Sequence, residues 1–111
     1  MEQSLYCKGK NDQVNSFLYE LTNTTDQVIT LTFSSSQRYD YTIYNSSGEI
    51  VKTYSDNLFF LTVLGEVRIF PNKSLTYSFQ VKDLPIGEYE IVFWLVATNI
   101  GLETVACKFI V

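Results

Sequence analysis

The residues able to do chemistry in this chain are few, and the missing ones narrow the choice first. There is no histidine among its 111 residues. A Ser-His-Asp triad, a Cys-His pair and any His-containing zinc site are therefore excluded. Two cysteines, Cys7 and Cys107, lie near opposite ends, too few for a disulfide framework and without Cys-x-x-Cys spacing. The twelve acids are scattered, and only Glu88 and Glu90 form a close pair that would share a strand face. Two such carboxylates can act as acid and base, but a solvated edge is the commoner role. Asp-x-Asp calcium loops and Gly-rich phosphate cradles are absent. The reading is of a non-enzyme with no metal and no cofactor.

Composition limits the partners as well. A net charge of −4 argues against a nucleic-acid surface, which needs clustered Lys and Arg. The longest apolar run, Ile91 to Ala97, is seven residues, far below the ~20 that a membrane helix requires. The N-terminus lacks the basic start and apolar stretch of a signal peptide. A cytoplasmic location is expected, with a secreted or cell-surface one as the alternative if a leader has been removed. Asn-x-Ser/Thr matches at Asn23, Asn45 and Asn72 are what chance gives in a chain rich in Ser, Thr and Asn.

The elements that position these residues are strands. Period-two alternation dominates, and no amphipathic helix is visible. Phe17, Tyr19 and Leu21 share one face, as do Ile29, Leu31 and Phe33, then Tyr39, Tyr41 and Ile43. Leu75, Tyr77, Phe79 and Val81 alternate with Thr76, Ser78 and Gln80. Turn residues punctuate the runs at Gly9–Asp12, Asn23–Asp26, Asn45–Gly48, Pro71–Lys73 and Leu84–Gly87. The pattern predicts one all-β domain over 1–111, an antiparallel immunoglobulin-like β-sandwich of seven to eight strands. Tyr89, two residues after Gly87, stands where such domains often carry a corner tyrosine, but Ile91 replaces the cysteine of antibody domains. The strand after Tyr89 is apolar on both faces. Its Val92, Trp94 and Val96 face is either covered by a loop or an exposed patch for a partner. Parity points Cys7 and Cys107 inward on the first and last strands, which would allow a bridge. In a reducing cytosol the pair would instead be two small hydrophobes.

A family resemblance sharpens this. Leu31-Thr32-Phe33-Ser34-Ser35-Ser36-Gln37-Arg38-Tyr39-Asp40-Tyr41 is similar to the strand, Ser-rich turn and Tyr-Asp-aromatic signature of the bacterial intracellular proteinase inhibitor (BsuPI) family. Asn45-Ser46-Ser47-Gly48-Glu49 looks like that family's next hairpin, and Tyr54-Ser55-Asp56 with Leu58-Phe59 its aromatic-Ser segment. Pro71 to Tyr77 and Leu84-Pro85-Ile86-Gly87-Glu88-Tyr89 resemble its later turns, and Phe17 to Asn23 its opening strand. Ser36 stands where a Gly usually precedes the Gln, and Asn72 replaces the turn Gly. The resemblance implies a cytoplasmic inhibitor of an intracellular subtilisin-like serine protease, and it carries over no reactive-site residue.

Within that expectation two segments could meet a protease. Asp56-Asn57-Leu58-Phe59-Phe60-Leu61 is an apolar cluster after a turn; the competing reading places Phe59 and Leu61 in the core. Ser34-Ser35-Ser36-Gln37-Arg38 is the second, with an ordinary polar turn as its competing reading. The alternative function is a non-inhibitory interaction module that binds another protein through a sheet edge or the Trp94 face. A carbohydrate-binding sandwich rests only on aromatics such as Tyr44 or Trp94.

Overall fold

The computed structural model describes residues 1–111 as nine strands with no helix. They are β1 (Glu2–Asn11), β2 (Val14–Thr22), β3 (Ile29–Phe33), β4 (Tyr39–Asn45), β5 (Ile50–Thr53), β6 (Gly65–Ile69), β7 (Ser74–Val81), β8 (Glu88–Leu95) and β9 (Val105–Ile110). All pairings are antiparallel: one sheet is β1-β2-β7, the facing sheet is β5-β4-β8-β9, and β3 pairs with β6. The β3–β6 ladder prolongs the β2–β7 ladder. After Thr22 faces Ser74, the Asn23 amide donates to the Lys73 carbonyl at 2.9 Å and the Asn72 amide to the Asn23 carbonyl at 2.8 Å. Pairing resumes with Ile29 opposite Ile69. No helix is long and apolar enough to cross a membrane.

Alternation fills the space between the sheets. Phe17, Tyr19 and Leu21 meet Tyr41, Ile43, Ile91 and Phe93, and all are buried. The core is mostly stacked rings: Phe79 lies 4.8 Å from Tyr41 and 5.6 Å from Phe93, and Tyr19 lies 4.4 Å from Phe93. Such pairs contribute about 0.5–1.5 kcal/mol each beyond their buried area. The Tyr89 hydroxyl donates to the Pro85 carbonyl at 2.7 Å, the corner that fixes entry into β8.

Burial raises the pKa of Tyr19, Tyr39 and Tyr77 above the ordinary 10.0, and that of Tyr41 to about 12 with the neighbouring Tyr54 and Asp40 adding to it. The folded state holds these protons longer than the unfolded chain does. Their stabilising effect is whole below pH 10.0 and is lost as pH rises through the folded values. Phenolate absorbance from these four is expected to grow only above pH 10.0, together with loss of near-ultraviolet circular dichroism. Ionisation of every phenol in one step near that pH, with the fold intact, would contradict it.

The strand expectations need three amendments. The first turn is not Gly9–Asp12: β1 runs through Gly9, which has φ 103° at a bulge, and the chain reverses at Asp12 and Gln13 with φ 50° and 63°. Two residues that both require positive φ without a glycine leave no turn signature. Next, β5 and β6 bring the count to nine. β5 has four residues, mostly exposed, so it lacks alternation. Finally, Cys7 does not point inward: it is exposed on β1, an edge strand, and Cys107 lies on β9 at the edge of the other sheet. On β8 the Trp94 face is half-buried. Beside it the buried Asp40 carboxylate accepts from the Ser55 amide at 3.1 Å and the Ser55 hydroxyl at 2.7 Å.

Candidate functional site

The Ser55 contact with Asp40 starts the segment of interest, because it fixes where the chain leaves β5. A tight turn follows: the Asp56 amide donates to the Thr53 carbonyl at 3.1 Å and the Leu58 amide to the Ser55 carbonyl at 3.2 Å. Asn57 adopts φ 63°, which Asn tolerates better than most residues. Beyond it, residues 58–64 form no regular structure. Phe59 is 100% exposed and Leu61 70%, so neither is a core residue. Phe60 turns the other way, half-buried with its ring 6.4 Å from that of Tyr54.

The second segment braces the first. The Leu61 amide donates to Ser36 Oγ at 2.9 Å, and the Ser36 amide donates to the Leu61 carbonyl at 2.9 Å. Ser36 is itself held in an ordered turn. The Gln37 amide donates to Ser35 Oγ at 3.1 Å, and Gln37 Nε2 donates to the Tyr39 carbonyl at 3.0 Å. Arg38 donates to the Ser35 carbonyl at 2.8 Å while its guanidinium lies 4.6 Å from the centre of the Phe33 ring. It packs flat on Gly65, where any Cβ would collide with the guanidinium. The two segments therefore form one surface, 25 residues apart in sequence at the Ser36–Leu61 contact.

Replacing Ser36 with Ala removes the acceptor of the Leu61 amide. The expected result is loss of about 1 kcal/mol of loop order. Hydrogen exchange at Leu61 should then quicken roughly fivefold, with the global unfolding midpoint nearly unchanged. Unaltered exchange at Leu61 would show that the side chain does not hold the loop.

The apolar surface continues past the expected segment through Val63, 52% exposed, and Leu64, 89% exposed. The sequence held a hint of it in the apolar stretch Leu58 to Leu64, broken only by Thr62, but no period assigned those residues to a face. The other candidates are elsewhere. Glu88 and Glu90 line a shallow groove of about 530 Å³ with Tyr44, Val92 and Lys108, the last being the cross-strand partner of Glu90. No group of three or more His, Cys, Asp or Glu residues could hold a metal ion. Cys7, exposed, and Cys107, half-buried, meet across the two sheets with Cα atoms 6.7 Å apart.

Comparison with known proteins gives the family. Among solved structures the chain is similar to a calcium-binding mutant of Bacteroides uniformis beta-glucuronidase 2, at 12% identity and a TM-score of 0.48. That likeness covers 97% of this chain and 13% of the other. No curated protein matches. Residues 2–100 match the BsuPI family, described as intracellular proteinase inhibitor. With nearly the whole chain matched, the protein belongs to the BsuPI family of intracellular proteinase inhibitors and is not an enzyme.

Proposed function

We propose that this chain inhibits an intracellular, subtilisin-like serine protease by laying Asp56–Leu61 into the enzyme's cleft, with Ser34–Arg38 as its brace. The observation that carries the reading is Phe59, wholly exposed on a segment secured at both ends. A large apolar side chain kept in water is unfavourable by about 1.5–3 kcal/mol relative to burial. A partner pocket can recover that. Securing the segment in advance reduces the ordering cost of association. Subtilisin-type clefts accept Phe or Leu, which suits the side chains offered. In this reading residues 1–111 act as one cytoplasmic domain, and Cys7 and Cys107, brought together across the sheets, bridge once the chain is in oxidising solution.

The test is a titration of a bacterial intracellular subtilisin-like protease with the purified chain, following residual peptidase activity. Stoichiometric loss of activity, with the chain surviving, is the expected result. Full activity at micromolar chain would overturn the reading and favour a partner-binding module that uses the Trp94 face. A ladder of fragments would make the chain a substrate.

A further inference from the structure

Resting on the inhibitor reading, we infer that Phe59 enters the primary specificity pocket and that the bond presented to the protease joins Phe59 to Phe60. Which backbone groups are free decides the position of that bond. A peptide in a protease cleft adds as a strand, so its amides and carbonyls must be available to the enzyme. The Leu58 amide is bound to Ser55, and both the amide and the carbonyl of Leu61 are bound to Ser36. Between them, the amides and carbonyls of Phe59 and Phe60 make no hydrogen bond within the chain. Of these two residues, only Phe59 points its side chain wholly into solvent, since Phe60 packs towards Tyr54.

The same geometry explains how the chain would resist destruction. The enzyme's serine oxygen attacks the Phe59 carbonyl carbon, the C–N bond to Phe60 breaks, and the enzyme's histidine passes a proton to the departing amine. Here the amine cannot diffuse away. Phe60 lies against Tyr54, and the next residue, Leu61, is fastened by two hydrogen bonds to Ser36. The acyl side is fastened too, through Ser55 to the buried Asp40 carboxylate. The Phe60 amine stays beside the acyl-enzyme, so re-forming the C–N bond and releasing the serine oxygen competes with hydrolysis. Effective concentrations of groups held in this way far exceed those of free reactants.

The partner class follows: a serine protease whose pocket takes large apolar side chains. The experiment measures inhibition constants of wild type, Phe59→Ala and Phe59→Lys against an intracellular subtilisin-like protease and against a protease with a carboxylate at the base of its pocket. Phe59→Ala is expected to weaken inhibition of the first about a hundredfold, a loss typical of a central anchor residue. Phe59→Lys should lose the first enzyme and gain the second. Unfolding midpoints should stay unchanged, because the ring makes no core contact. Any chain nicked during prolonged incubation should show Phe60 as its new N-terminus. If wild type inhibits and Phe59→Ala matches it within about twofold, or if the nick falls elsewhere, this assignment fails while the inhibitor reading stands. If wild type inhibits neither enzyme, both fail.

Discussion

Reduction of a Cys7–Cys107 bridge is expected to lower the stability of this chain by about 4–5 kcal/mol. The cross-link would close a loop with a sequence separation of 100, and the unfolded chain then loses most of the freedom that such a loop would have. The two residues meet from different sheets, so the bond would also tie the outer strands β1 and β9 together. Protein purified without reductant should show no reactive thiol after unfolding, and its denaturation midpoint should fall once a dithiol is added. Two reactive thiols in the unfolded protein, or no change on reduction, would contradict the bridge. Inhibition itself should persist in any reduced chain that remains folded. The segment 56–61 departs from β5, at the opposite edge of the four-stranded sheet from β9.

The second large effect is expected at Asn23. Its side chain is fully buried where the β2–β7 ladder gives way to β3–β6. Nδ2 donates to the carbonyls of Gln27 and Ile69, each at 2.8 Å. Oδ1 accepts from the Thr25 amide at 2.9 Å and from the Thr25 hydroxyl at 2.6 Å. These four bonds close the excursion 24–28 and let pairing resume in register. Asn23→Ala takes the donor from the buried Ile69 carbonyl and the acceptor from the Thr25 amide, and a buried group left unsatisfied costs about 1–3 kcal/mol. A loss of about 3 kcal/mol in chemical denaturation is expected, against little change for the exposed Asn11→Ala, whose side chain makes no hydrogen bond. A loss below about 1 kcal/mol would show that water replaces the side chain. The same burial makes Asn23 unavailable to a glycan.

How much of this could be read in advance depended on whether the information was local. The β2 triplet Phe17, Tyr19 and Leu21 is legible because each residue takes its face from parity alone. β7 and the corner at Tyr89 are legible for similar reasons, the latter because Pro85, Gly87 and Tyr89 act within a few residues. Asn23 reads locally as a loop residue; its partner Ile69 lies 46 positions away, and no turn rule anticipates it. The candidate segment was half legible. Leu58-Phe59-Phe60-Leu61 has neither helical nor strand period, so it could have been core or surface. What decides is the lack of a strand pairing across 58–64, together with the Ser36 clamp, and both depend on tertiary neighbours. The Ser-rich turn looked like ordinary punctuation for the same reason.

The most direct test of the central claim is an amide hydrogen-exchange footprint of the chain alone and with an intracellular subtilisin-like protease whose catalytic serine is replaced by alanine. In the free chain the amides of Phe59 and Phe60, which lack internal partners, should exchange fast. In the complex they should become the most strongly protected sites, with lesser protection at Ser34–Arg38 and no change along the Trp94 face. Protection on that face with residues 59 and 60 still exchanging freely, or no protection anywhere, would contradict the account.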